Sequence, residues 1–317
     1  MNRKQFFKVG GGAILSFPLS RFLTGARRKS EIKTELFFAI SLAQWSLHRT
    51  LNNGDLSHLE FPAFAKNEFG INALEYVNSF FRDKAEDRTY LDEMNKRCAD
   101  LGVEQLLIMV DGEGGLAIAD DQNRIESVEN HYKWVEAAEY LGCHSIRVNA
   151  FGQGTRDQQM QSAVDGLGRL SEFAKDYDIN VIVENHGGYS SDGQWLSEVI
   201  SQVDMENCGT LPDFGNFCIR RENGAQWSGN CVEEYDRYKG VKELMPHAKA
   251  VSAKSYAFDE KGQETTIDFS KMLSIIYEAD FSGYIGVEYE GSGLSEVEGI
   301  KATKRLLEEA GSKITEG

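Results

Sequence analysis

Positive charge is scarce in this chain: 34 Lys and Arg stand against 50 Asp and Glu, a formal net charge of −16. Seven of those basic residues precede Glu31, where there is no acid, so the remainder is more acidic still. A surface of that sign repels phosphate backbones and anionic lipid, which argues against nucleic acid as a partner. Long apolar runs are missing too. Pro18 and Arg21 interrupt the apolar stretch near the N-terminus, well short of the ~18 residues a membrane span needs. Nor is there a cysteine framework for zinc, because Cys98, Cys143, Cys208, Cys218 and Cys231 are scattered and odd in number. The first three lie in or beside apolar segments, as small core residues do. Cys218 and Cys231 flank one long loop, and an oxidising compartment would let them pair; the reading taken is that all five are thiols. No Gly-rich phosphate loop follows the first strand, which disfavours a doubly wound sheet, and no linker or low-complexity tract marks a second domain.

Residues 1–30 carry a short basic front, a weakly apolar middle and small residues at Thr24, Gly25 and Ala26, the layout of a signal peptide. The run Arg3-Lys4-Gln5-Phe6-Phe7-Lys8 resembles the twin-arginine export motif, with Lys4 in the place of the second arginine. Export to the periplasm is the expectation, with anchoring to the membrane by an uncleaved signal as the alternative.

From residue 31 to 317 the chain alternates apolar, strand-like runs with amphipathic, helix-like runs. The strands are expected near 37–45, 71–81, 103–110, 144–151, 180–184, 208–214, 248–256 and 284–291. Helices are expected over 56–69, 87–102, 121–142, 157–178, 192–203, 232–244, 268–280 and 295–311. Eight such units averaging ~35 residues imply an α/β fold, a single (β/α)8 TIM barrel. Longer loops follow the third strand, at 111–121, and the sixth, at 215–230.

In such a barrel the strand ends converge at one rim, however distant they are in sequence. The stretch Val181 to Tyr189 ends a β-branched run in Glu184, Asn185 and His186 and then two glycines. With a period of two, Glu184 and His186 point the same way. The other strand ends offer Glu75, Asp111, Asn149, Asp213, Lys254, Glu288 and Glu290. Carboxylates gathered in one cleft repel unless a cation or shared protons intervene, so the set implies a divalent metal, raised pKa values, or both. Such an oxygen-rich site suits Mn²⁺ or Mg²⁺, and an added imidazole admits Zn²⁺. Trp45, in the first loop beside Ser46 and His48, is the best candidate to stack on a sugar; His48 itself reads as a solvated loop residue, and His131 and His247 as structural.

The segments ENH at 184–186, PDFGNF at 212–217, SAKSYAF at 252–258 and GVEYEG at 286–291 resemble those of the xylose isomerase-like TIM barrels, the family of sugar phosphate isomerases and epimerases. The resemblance covers nearly everything after residue 36. It implies that Glu184, Asp213 and Glu288 hold one divalent metal, and it places Ser252 where relatives carry a fourth, histidine ligand. It further implies a carbohydrate substrate and proton abstraction next to a carbonyl. Glu184 and Glu288 are the expected catalytic pair, with His186, Lys254, Asn149, Glu75 and Trp45 around the substrate. The rival readings are elimination or cleavage of a keto-glycoside by the same proton abstraction, and a non-catalytic carbohydrate-binding barrel. Self-association is left open.

Overall fold

The computed structural model describes residues 36–316, and the export signal expected over 1–30 lies outside them. Ten strands are described: β1 Ala39–Ala43, β2 Ala73–Val77, β3 Glu104–Met109, β4 Ser145–Val148, β5 Asn180–Glu184, β6 Cys208–Leu211, β7 Cys218–Arg221, β8 Cys231–Glu234, β9 Val251–Ser255 and β10 Tyr284–Tyr289. Eight of them are parallel neighbours in the order β6-β5-β4-β3-β2-β1-β10-β9. Single bridges, Thr210 to Ala248 and Asp213 to Ser252, join the two remaining edges. Across that seam Ser252 N donates to Pro212 O at 2.9 Å and Phe214 N to Ser252 O at 3.1 Å. The sheet thus closes into the expected barrel, which leaves no unpaired edge.

The helices are α1 His48–Asn52, α2 Phe61–Phe64, α3 Arg88–Leu101, α4 Asp121–Tyr140, α5 Arg156–Lys175, α6 Gly193–Val203, α7 Arg237–Leu244, α8 Phe269–Glu278 and α9 Glu296–Glu316. From α3 to α8 each starts behind an Asp or Thr whose side chain accepts a backbone N–H of the first turn: Asp87, Asp120, Thr155, Asp192, Asp236 and Asp268. These caps satisfy donors that the helix cannot pair internally, which is why the chain turns from strand loop to helix there. The helix expected over 56–69 is instead three short pieces, ending in a wide turn over Ala65–Phe69. That turn brings Phe69 edge-on to Phe64, with ring centroids 5.7 Å apart.

The expected helix start at 232 is also displaced. Cys231–Glu234 is β8, paired antiparallel with β7, and α7 begins only where Asp236 caps it. This ribbon brings Cys218 and Cys231 together in a disulfide with Cα atoms 5.8 Å apart, so the reading of five thiols is corrected to three: Cys98, Cys143 and Cys208, all buried. The bond spans a sequence separation of 13, and closing a loop of that order is worth about 3 kcal/mol. Reduction, or Cys218→Ser with Cys231→Ser, should lower the unfolding free energy by up to that amount; equal thermal midpoints for reduced and oxidised protein would contradict it.

The main core lies between barrel and helices, around the fully buried Trp134, Trp195, Tyr76 and Tyr289. A separate apolar cluster includes Leu107, Met109, Ile182, Leu211 and Ala250. One strand period beyond three of its members come Glu184, Asp213 and Ser252, so the strands pass from an apolar plug to polar chemistry within two residues. No helix among the described residues is long and apolar enough to cross a membrane.

Candidate active site

The plug ends where a cavity of about 800 Å³ begins, walled by residues from the strand ends: Trp45, Asn149, Glu184, His186, Lys254, Glu288 and Glu290 among them. Lys254 is its electrostatic centre. The buried ammonium lies 3.4 Å from Glu288 Oε1, 3.5 Å from Glu290 Oε1, 3.8 Å from Asp213 Oδ2 and 3.9 Å from Glu184 Oε1. Burial alone would lower its pKa, but the four carboxylates hold it well above the ordinary lysine value.

Each carboxylate has a distinct set of partners. Glu184 Oε2 faces Arg147 Nε at 3.0 Å, and Asn216 Nδ2 donates to Oε1 at 2.8 Å. Arg147 also donates to Asp111 Oδ1 at 2.8 Å. Burial works against the Asp111 charge, yet Arg147 and His186 outweigh it and bring the carboxyl to about 2. Asp213 Oδ1 accepts the backbone N–H groups of Gly215 and Asn216 at 2.8 Å each, and its own N–H donates to Asn185 Oδ1 at 2.7 Å. The hydroxyl of Ser252 lies 2.7 Å from Asp213 Oδ2 and 2.6 Å from Glu288 Oε2. One hydroxyl carries one proton, so two short contacts to carboxyl oxygens call for a second proton on one of the acids. Burial pushes the Asp213 and Glu288 carboxyls up, which makes that proton available.

His186 Nδ1 is 2.8 Å from Asn149 Oδ1, and Asn149 Nδ2 donates to Asp111 Oδ1 at 2.7 Å. The amide orientation therefore makes Nδ1 the protonated nitrogen and leaves Nε2 as an acceptor. Burial, with Arg147 and Lys254 nearby, lowers the imidazole to about 4, so it is neutral near pH 7. Gly187, at φ 83°, supplies the left-handed turn after it; a Cβ there would come within 2.8 Å of Gln226 O. Trp45 lies in the wall, hydrogen-bonds the Glu290 carboxylate and stacks on His48 at 4.9 Å. His48 is therefore part of α1 and partly buried, not a solvated loop residue.

Glu75, expected at the substrate, is fully buried and absent from the cavity wall, which Val77, one strand period on, does reach. Gly286 makes room for it: a Cβ there would meet the Glu75 carboxyl oxygens at 2.6 and 2.7 Å. Burial raises its pKa from the ordinary 4.5 to about 8, although Ser41 Oγ donates to Oε1 at 2.5 Å; Oε2 has no partner. A carboxyl that gains proton affinity on folding adds stability in full below about 4.5 and loses it as the pH rises through about 8. Across that window the unfolding free energy should fall with a slope approaching about 1.4 kcal/mol for each step of one in pH, and Glu75→Gln should flatten the fall. Denaturant titrations at several pH values give the slope, and an unchanged slope would contradict it.

Two wall residues escaped the sequence reading, and a third, Arg147, reads only as an isolated basic residue until the barrel closes beside Glu184. Asn216 needs the turn after Asp213 to reach it. Trp227, half exposed, donates to His186 O at 3.0 Å and meets Phe151 edge-on at 5.4 Å; a lone Trp in a polar, Gly-bearing loop between two cysteines was the available signal.

Glu184, Asp213 and Glu288 each offer a carboxylate oxygen, the three lying within 4.8 Å of one another. Buried hard donors so grouped could hold a divalent cation. The hydroxyl of Ser252 is already engaged by two of them, so the chain supplies three strong ligands and not four.

Fold and site together define a parallel (β/α)8 barrel with an acidic, cation-centred mouth. The family model described as xylose isomerase-like TIM barrel matches residues 63–310, and the chain belongs to that family. No curated protein matches the sequence. Among solved structures, a D-tagatose 3-epimerase-like protein superposes with a TM-score of 0.66 at 18% identity, over 87% of this chain and 100% of that one. The IOLI protein with a bound zinc atom gives 0.65 at 16%, over 87% and 99%. The 3-keto-D-glucoside 4-epimerase from E. coli gives 0.61 at 13%, over 86% and 99%.

Proposed function

We propose that the protein is a carbohydrate isomerase or epimerase that moves a proton on a carbon next to a carbonyl. The observation that carries this is the placing of two buried glutamates, Glu184 and Glu288, at 3.9 and 3.4 Å from one ammonium, Lys254 Nζ. Arg147 and Asn216 orient Glu184 as the base that takes the acidic C–H proton. The electron pair moves onto the carbonyl oxygen, and Lys254 faces the oxyanion so formed, in a dry site where that charge pairing is strong. Glu288, whose carboxyl burial has raised, returns a proton to the neighbouring carbon or the opposite face. Neutral His186 accepts from a substrate hydroxyl through Nε2, and Trp45 offers its face to the ring. Glu184, Asp213 and Glu288 would hold a divalent cation, Mn²⁺, Mg²⁺ or Zn²⁺, which when bound supplies Lewis-acid polarisation of the carbonyl.

Elimination from a keto-glycoside is the second reading. It uses the same base and the same oxyanion, and the electron pair then expels the group on the next carbon instead of recapturing a proton. The cavity volume favours a substrate larger than one sugar ring, and the E. coli neighbour is named for a keto-glucoside. An exposed disulfide suits an oxidising compartment, which supports the expected export to the periplasm. Incubation in deuterated water with free ketoses and 3-keto-glycosides, followed by NMR, tests both. Deuterium at the carbon beside the carbonyl is expected; aglycone release would favour elimination, and neither outcome with any sugar would overturn the assignment.

A further inference from the structure

A second cavity, of about 990 Å³, adjoins the one holding Lys254, and the two share Phe151 and Arg221 in their walls. Along β7, Cys218 lines the Lys254 cavity, Ile219 and Arg220 the outer one, and Arg221 both. The ribbon is held firmly in that place. Its two strands are joined by the disulfide, and its tip is tied to His186 O by Trp227 Nε1 at 3.0 Å and Gln226 Nε2 at 3.3 Å.

The charged groups of the outer wall are engaged within the protein. Arg220 is paired with Glu233 at 3.1 Å, Arg221 donates to the carbonyls of Gln226 and Gly229 at 3.2 and 2.8 Å, and Asp120 caps α4 by accepting from Asn123 N at 2.9 Å. Neutral groups stand beside them. The side-chain amides of Asn123 and Gln153, both in the wall, have no hydrogen-bond partner among the described residues, and Tyr189 and Phe151 supply flat apolar faces. Free amides beside aromatic faces are the chemistry that recognises a ring with hydroxyls on its edge and C–H bonds on its faces.

We propose that the outer cavity is a binding site for a second sugar unit, so that the substrate is a glycoside whose reacting ring sits at Lys254 and whose other unit passes Phe151 and Arg221. This rests on the carbohydrate reading of the inner site, but not on its chemistry. Ala119 is exposed in the outer wall and takes no part in the inner cavity, so Ala119→Trp fills the one and spares the other. Calorimetry with glucose, methyl glucoside and the α- and β-linked glucose disaccharides is the test. At least one disaccharide is expected to bind tenfold or more tighter than either single-ring probe. Ala119→Trp should remove that gain and leave single-ring affinity within twofold. Equal affinities for one and two rings, no binding by any disaccharide, or a gain that survives Ala119→Trp overturns the proposal. The expected binding pattern in a protein that exchanges no deuterium would instead overturn the isomerase reading and leave the second site standing.

Discussion

Glu184→Gln should abolish turnover, by about a thousandfold or more, since a positioned base contributes about 10² to 10⁴ and the amide has no basicity to replace it. The same exchange carries a stability cost that can be worked out from the partners. Arg147 Nε faces one carboxylate oxygen and Asn216 Nδ2 the other, at 3.0 and 2.8 Å. Arg147 Nε lies at ion-pair distance without hydrogen-bond geometry, so the glutamine can keep the Asn216 bond through its carbonyl oxygen while its NH2 faces the guanidinium. Leaving that NH2 unpaired costs about 1–3 kcal/mol, small enough for the fold to survive in a barrel of this size. Circular dichroism and denaturant unfolding measure the fold, and deuterium exchange measures the chemistry. A folded Glu184→Gln protein that turns over at the native rate would remove Glu184 from the mechanism.

Lys254→Met is expected to be the most destabilising substitution in the site. It keeps the volume of the stem while deleting the ammonium that four carboxylates share. Breaking a buried charge cluster by removing one partner costs about 3–5 kcal/mol, and here the acids left behind also repel each other. The sign of the pH dependence follows. Burial already raises Asp213 and Glu288, and without the ammonium their proton affinity rises further. The variant should therefore recover stability as the pH falls and lose it as the pH rises. Millimolar Mn²⁺ or Mg²⁺ should recover it too, by supplying the missing charge to Glu184, Asp213 and Glu288. Thermal midpoints at several pH values, with and without each ion, give the answer. Midpoints matching the native protein at pH 7 and 8 without added ion would contradict this account of Lys254.

The barrel and its acidic mouth were legible because both are written in local periodicities. Strand runs ending in Glu184, Asp213 and Glu288 put an acid at the same phase of the repeat, and closure does the rest. Alternation tells which face a side chain takes but not its height along the barrel, which is why Glu75 looked like a wall residue and lies below the cavity floor. Arg147 was hidden for a related reason: a cation inside a strand is recognised as a partner only when a neighbouring strand supplies its carboxylate. The region from Cys218 to Glu234 has no clear period, since β7 and β8 are four residues each with register shifts between them. With the ribbon unseen, the pairing of Cys218 with Cys231 stayed the alternative to free thiols, and the anchoring of Trp227 could not be inferred.

The ring of strands is fastened at its thinnest junction by the same residues that line up for chemistry. Between β6 and β9 only isolated bridges hold the staves together, and at one of them Asp213 meets Ser252 through the backbone while their side chains clasp as well. Tinkering with the reactive cluster thus loosens the hoop itself. Variants at Asp213 or Ser252 will lose stability along with any activity, and this barrel has no spare latitude to exchange those two residues without first reinforcing the joint.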